Sequence, residues 1–268
     1  MTRPRLGGFA ERNYRRSNWR MTRVMSCGKD WRGRHQADES AVIERPDFAQ
    51  TIARLKKFYG APKPPQITDP FEQILWENVA YLADDEKRAL AFAALVRTVG
   101  TTPAKILKAK TETLLAAARI GGIVPELRAQ RLRQCAEIVQ ILLKDKLESL
   151  LDQSLAHAKK TLRQFPTIGG PGAEKILMMA GKYPVFGIES NGLRVLLRLG
   201  FAQEQKSYSV SYRAVQQALA GQLPAHCKSL VTAHQLLRMH GQELCKRSRP
   251  LCDKCPLEDI CAFRARLT

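Results

Sequence analysis

The sequence predicts an all-α protein, and two observations carry the prediction. From Phe48 onward, apolar residues recur at i, i+3, i+4 and i+7 in one segment after another. No stretch of five or more residues alternates apolar and polar as a half-buried strand would; the best candidate, "YPVFGI" at residues 183–188, reads as a short extended connector.

The elements follow in order. "DFAQTIARLKKFYG" opens on an Asp47 cap and stops at Gly60. "APKPPQITDP" is a stiff, proline-rich linker. Asp69 and Pro70 then start a helix in "PFEQILWENVAYLA", since proline fits a first helical turn. "DDEKRALAFAALVRTVG" has the full helical apolar period. "TPAKILKAK", "TETLLAAARIGG" and "VPELRAQRLRQCAEIVQILLKDKL" continue it, with Thr, Pro and Gly at the seams.

Composition bounds the function. A chain of 268 residues with 44% apolar content makes a globular core, as one large domain or two modest ones. Its net charge of +19 points to a polyanionic partner, most often nucleic acid; a soluble protein that is merely basic is the bland alternative. No apolar run spans a bilayer and no secretory segment follows the N-terminus. Seven cysteines, an odd number with four clustered, indicate a metal site in a reducing compartment and not a disulfide framework.

Residues 1–46 stand apart. They are rich in Arg and Gly and lack any period, so they read as a mobile basic arm able to touch phosphates non-specifically. An upstream start codon is the equal alternative, with Met21 and Met25 as other starts; Glu11 weakens the case for a mitochondrial transit peptide.

Two stretches carry chemistry. In "TLRQFPTIGGPGAEKILMMAG", a helix ends near Phe165, a tight turn spans residues 166–172, and a second helix begins around Ala173. Glycines in such a turn leave backbone N–H groups uncovered at a helix N-terminus, which suits a phosphate. That makes Thr167, Ile168, Gly169, Gly170 and Gly172 candidate DNA-backbone contacts; an ordinary αα-hairpin is the other reading. The second stretch is Cys245-x6-Cys252-x2-Cys255-x5-Cys261. Structural zinc usually takes two separated C-x2-C pairs. One such pair with longer flanking gaps in a compact loop suits a 4Fe–4S cluster better, with zinc as the alternative. Cys27, Cys135 and Cys227 carry no motif, and Cys135 reads as core.

This cysteine spacing, the hairpin, and "HQLLRMHGQELCKRSRP" before the cysteines together resemble the endonuclease III family of DNA glycosylases, over roughly Phe48 to Phe263. The resemblance implies a two-lobed helix-hairpin-helix DNA glycosylase fold with a 4Fe–4S cluster loop. Residues 69–181 would form a helical barrel ending in the hairpin, and residues 48–68 plus 182–268 the cluster domain. Cys245, Cys252, Cys255 and Cys261 would hold the cluster, with Lys246, Arg247, Arg249 and Lys254 on its rim to meet phosphates. Bifunctional members carry a Schiff-base lysine where this chain has Pro171, which has no free amine. Lys175, one helical turn on, is a weak substitute. Thr167 replaces the hairpin's first glycine. The family's essential aspartate corresponds to Glu189, a carboxylate on a longer arm. Asn191 resembles the asparagine of the adenine and mismatch-thymine branches, and Arg194 a basic residue typical of that helix. Glu77 falls where the adenine branch has a glutamate that protonates the leaving base, so Glu77 and Glu189 would divide the roles of acid and charge stabiliser. The glutamine that follows in the family is missing; "AYLADD" stands there, and Asp84 and Asp85 would face DNA unfavourably or cap the next helix.

The implied activity is monofunctional hydrolysis of the N-glycosidic bond of a damaged or mispaired base, extruded from double-stranded DNA. A catalytically silent DNA-binding relative and an RNA or polyanion-binding module are the alternatives. The adenine branch's further C-terminal domain is not expected, since the chain stops seven residues after Cys261. A cytoplasmic, nucleoid-associated monomer without membrane contact is expected.

Overall fold

The computed structural model describes residues 46–81 and 83–267; apart from Pro46, the expected basic arm, with Cys27, lies outside them. The described residues form α1 (Phe48–Tyr59), α2 (Pro70–Val79), α3 (Asp85–Thr98), α4 (Pro103–Lys108), α5 (Thr111–Ile120), α6 (Pro125–Glu137), α7 (Leu147–Leu151), α8 (Leu155–Leu162), α9 (Gly170–Met179), α10 (Ser190–Leu199), α11 (Tyr208–Leu219), α12 (Cys227–Glu243) and α13 (Ala262–Ala265). Among them there is no strand, only an isolated parallel bridge between Tyr81 and Gly122. No helix among them is long and apolar enough to cross a membrane.

The caps act as the sequence suggests. Asp47, Asp69 and Asp84 accept from the amides of Gln50, Glu72 and Lys87 at 2.6, 2.8 and 2.8 Å, each occupying an orphan first-turn donor. Asp84 therefore starts α3, and Asp85 in its first turn pairs with Arg238 and Gln242 of α12. Two boundaries differ from expectation. The long helix after Val124 ends early: α6 passes into a π-turn, Ile138–Leu142, and Lys144 and Asp145 take left-handed φ of 52° and 57° that no helix continues through. The hairpin's second helix starts at Gly170, before Ala173, because Pro171 fits its first turn.

Two apolar cores form. One draws on residues from Phe71 to Leu177, with Ile74, Leu95, Leu132, Leu162 and Ile176 at its centre. The other joins Phe48 and Leu55 of α1 to residues from Met178 to Leu257. Phe48 meets Phe186 edge-on at 5.4 Å and Phe201 at 6.4 Å, a favoured aromatic geometry. Helix α9 is common to both cores: Ile176 and Leu177 enter the first and Met178 the second. Cys135 is fully buried in the first core.

Candidate active site

Helices α8 and α9 make the expected hairpin. Gly169 caps α9 without a side-chain hydrogen bond, so first-turn amides, those of Gly170 and Gly172 among them, face outward for an external acceptor. Thr167 and Gly169 are exposed. Ile168 is not: its side chain is buried in the first core and its amide donates to Phe165 O at 3.3 Å. Thr167 has φ 68°, the left-handed region where a β-branched side chain is strained. Thr167→Gly is therefore expected to raise stability, by up to about 1 kcal/mol once glycine's extra unfolded-state entropy is subtracted; a denaturant titration reads it. The turn is also tied from α2: the buried Asn78 donates through Nδ2 to Pro166 O at 3.1 Å.

The connector, residues 183–188, runs against α9 at Gly187 and leads into Glu189. Gly187 makes this possible. A Cβ there would lie 2.3 Å from Lys175 N and 2.4 Å from Lys175 Cα, so only glycine lets the two backbones meet. Side chains hold the contact from behind. His234 Nδ1 donates to Gly187 O at 2.6 Å, Gln216 Nε2 to Phe186 O at 2.6 Å, and the Tyr212 hydroxyl to Glu174 of α9. Burial above all, with the Lys175 charge behind it, lowers His234 from 6.5 to about 4, so the imidazole is neutral in the fold. A histidine depressed in this way contributes fully above its unfolded value of 6.5 and loses that contribution as pH falls toward about 4. Stability is expected to fall by at most about 3 kcal/mol across that window, and His234→Gln to flatten the slope; denaturation midpoints at several pH values check it.

Glu189 itself is the N-cap of α10: Oε1 accepts from Gly192 N at 2.7 Å and Oε2 from Asn191 Nδ2 at 3.0 Å. Asn191 cannot turn over, because Arg194 Nη2 donates to its Oδ1 at 2.9 Å. Arg194 also donates to Gly241 O at 2.7 Å and Cys245 O at 2.9 Å, so much of its hydrogen bonding is internal, and it braces the site. Ser190, Asn191, Arg194, Gly241, Gln242, Lys246 and Arg247 line one open groove, which links the head of α10 to the cysteine loop.

In that loop Cys245, Cys252, Cys255 and Cys261 share the wall of a single cavity with Arg198, His240, Leu257 and Phe263. Among the described residues no three His, Cys, Asp or Glu side chains gather closely enough for one metal ion; the thiols instead surround a space. Burial first, with neighbouring cysteines adding, pushes the Cys255 thiol up to about 11, so ionising it there calls for a compensating positive centre. Four thiols around a pocket fit a multi-metal cluster. Lys246, Arg247, Arg249 and Lys254 are all exposed on the rim. Arg198 was not foreseen. Its guanidinium donates to Lys246 O at 2.8 Å and Arg247 O at 2.9 Å, lies 3.4 Å from Cys245 Sγ, and covers the Phe263 ring at 4.6 Å. The signal was present: Arg198 is one turn beyond Arg194, on the same face.

Glu77, expected as an acid toward the leaving base, is held in ion pairs. Its carboxylate meets Lys175 Nζ at 2.5 Å and Arg88 Nη1 at 3.9 Å. Burial works to raise its pKa, but the Lys175 ammonium, with Arg88 and Arg238 further off, outweighs burial and holds it below the usual carboxylate range. It is an ion-paired carboxylate. The side chain of α2 that ties the hairpin's turn is its neighbour Asn78. One further feature went unforeseen: Tyr81 and Ile123, 51% and 52% exposed, stand together on an apolar edge where the Tyr81 amide donates to Gly121 O.

No family model matches the chain. Endonuclease III of Sulfolobus acidocaldarius is 28% identical over 198 residues, covering 72% of this chain and 82% of the relative. Endonuclease III of Thermotoga maritima is 26% identical over 199 residues, covering 74% and 85%. Among solved structures, a trapped endonuclease III–DNA covalent intermediate superposes with a TM-score of 0.63 at 20% identity, covering 83% of this chain and 100% of the other. A thermostable thymine-DNA glycosylase gives 0.63 at 14% identity, covering 82% and 97%. In sequence the chain is thus similar to endonuclease III proteins, and its fold is that of the solved endonuclease III and thymine-DNA glycosylase structures.

Proposed function

We propose that the protein is a monofunctional DNA glycosylase of base-excision repair. One observation supports the reading: Gly187 lies against the backbone of α9, whose first turn holds Pro171 and offers no amine, and a carboxylate, Glu189, follows two residues later at the head of α10. A carboxylate can stabilise the cationic sugar that develops as the bond breaks and can accept a proton from water. Without an amine at position 171, no Schiff base forms there, and the product is an abasic site in an unbroken strand. The outward amides of the hairpin and the cations of the cysteine rim would take backbone phosphates on either side. The apolar edge at Tyr81 and Ile123 suits a wedge entering the stack as a base is extruded.

We infer that Cys245, Cys252, Cys255 and Cys261 hold a 4Fe–4S cluster. Bound there, it supplies metal–thiolate bonds that tie residues 245–261 into one unit, with Arg198 fastening that unit to α10.

The test is a panel of end-labelled duplexes carrying uracil, thymine and adenine mismatches and oxidised or alkylated bases, scored with and without alkali beside a Glu189→Gln variant. Breaks that need alkali and vanish in the variant support the reading. Tight duplex binding with no base released would favour the catalytically silent relative. Breaks without alkali would require a nucleophilic amine and overturn the monofunctional assignment.

A further inference from the structure

One oxyanion site on this surface is already filled, and by the protein itself. Asp85, in the first turn of α3, sets its carboxylate against α12. Arg238 Nη2 donates to Oδ1, and Gln242 Nε2 donates to Oδ2 at 3.0 Å. A guanidinium on one oxygen and an amide on the other is also how proteins take two oxygens of a phosphate. Arg238 and Gln242 are four residues apart and share one face of α12. Neither side chain makes another hydrogen bond among the described residues. The arrangement is open to solvent: Asp85 keeps 50% of its side-chain surface and Arg238 36%. Gln242 also lines the groove that Asn191, Arg194, Lys246 and Arg247 line. Burial works to raise the Asp85 pKa, but the hydrogen bond and charge of Arg238 outweigh it and hold the group below the usual carboxylate range. The acid that would face DNA unfavourably is thus turned onto a cation of its own chain.

Such an acid has two uses. It can fasten α3 to α12, or it can fill a cationic site until a phosphate arrives. An ion pair this exposed contributes little to a fold, because water competes for both partners. Once released, Asp85 still sits in water at the positive end of α3, where a carboxylate is stabilised. A phosphate that takes its place gains more than Asp85 gives up, because the exposed Lys246 and Arg247 line the same groove. We propose, resting on the DNA-binding part of the glycosylase reading, that Arg238 and Gln242 form a phosphate subsite for the backbone of duplex DNA, and that Asp85 occupies it until DNA displaces the carboxylate. A built-in competitor of this kind weakens binding to every duplex by a similar factor. It also dulls the salt dependence. Arg238 neutralises a phosphate and frees the cation condensed there, while the released Asp85 gathers a cation back.

The experiment is equilibrium binding of the intact protein to a labelled, lesion-free duplex over a range of salt concentrations. It compares the parent, Asp85→Asn, Arg238→Gln and the double variant. Asp85→Asn is expected to bind about fivefold more tightly at moderate salt, the scale of one exposed ion pair. It is also expected to steepen the plot of log affinity against log salt by about 0.9, the release of one more cation. In the Arg238→Gln background the same change is expected to do neither, since the subsite is gone. Equal gains with and without Arg238 would mean that Asp85 only repels DNA from a distance, and would overturn the proposal. No gain in either background would reduce the ion pair to a fastening and overturn it as well. Should Arg238→Gln fail to fold, Arg238→Met, which keeps an aliphatic stem, carries the same expectation. A parent that binds no duplex at any salt would sink both the subsite and the glycosylase reading. Every other failure leaves the glycosylase reading standing.

Discussion

Glu189→Gln is expected to lower base release by about a hundredfold to a thousandfold, the usual cost of removing a preorganised group that faces developing charge. The substitution keeps size and the extended cap geometry, so the fold survives it. It does not keep both hydrogen bonds. Glutamine has one oxygen, and Gly192 N and Asn191 Nδ2 both need an acceptor. Asn191 cannot turn its own oxygen to help, because Arg194 holds it. One hydrogen bond is therefore lost, at about 1 kcal/mol of stability. The pairing of a large kinetic loss with a small thermodynamic one is the signature to seek, by single-turnover rates and denaturant titration on the same sample. Comparable losses in rate and fold would assign Glu189 to capping alone.

Gly187→Ala is expected to damage fold and activity together. Its added methyl would meet the backbone of Lys175 and the Glu174 carbonyl carbon at 2.3 to 2.8 Å, and no side chain can rotate away to make room. The connector must lift off α9, which pulls Gly187 O from His234 and Phe186 O from Gln216. Overpacking of this kind costs about 3 kcal/mol. Glu189 lies two residues on, and a shift of about 1 Å in such a group is worth about a hundredfold in rate. A melting curve and the same base-release assay measure both. An alanine variant with parental stability would mean that the connector has slack.

The elements were legible because helices announce themselves through period and caps: Asp47, Asp69 and Asp84 each start a helix where a short acceptor should. The cysteine loop was legible because four cysteines at close, uneven spacing mark it in the sequence, and the structure sets them around one cavity. The side-chain directions were not. Glu77 and Asn78 are neighbours about 100° apart on one helix, and only the packing of α2 against the hairpin decides that Asn78 meets its turn and Glu77 its second helix. The partner that turns Glu77 into a salt bridge is Lys175, distant in sequence and invisible to any local pattern. Gly187 was hidden for a different reason. A glycine in an extended connector looks like slack, and its need arises from another helix's backbone. Thr167 is the reverse case: the sequence flagged the missing glycine, and the backbone kept the glycine conformation anyway.

Helix α9 sends Ile176 and Leu177 into one core and Met178 into the other. A two-core protein ordinarily melts in two steps, with a hinge between them. Here neither core can dissolve without stripping one side of the same helix, so heat should find a single cooperative transition. The same sharing makes the hairpin a rigid footing: a load applied at its turn is borne by both halves at once.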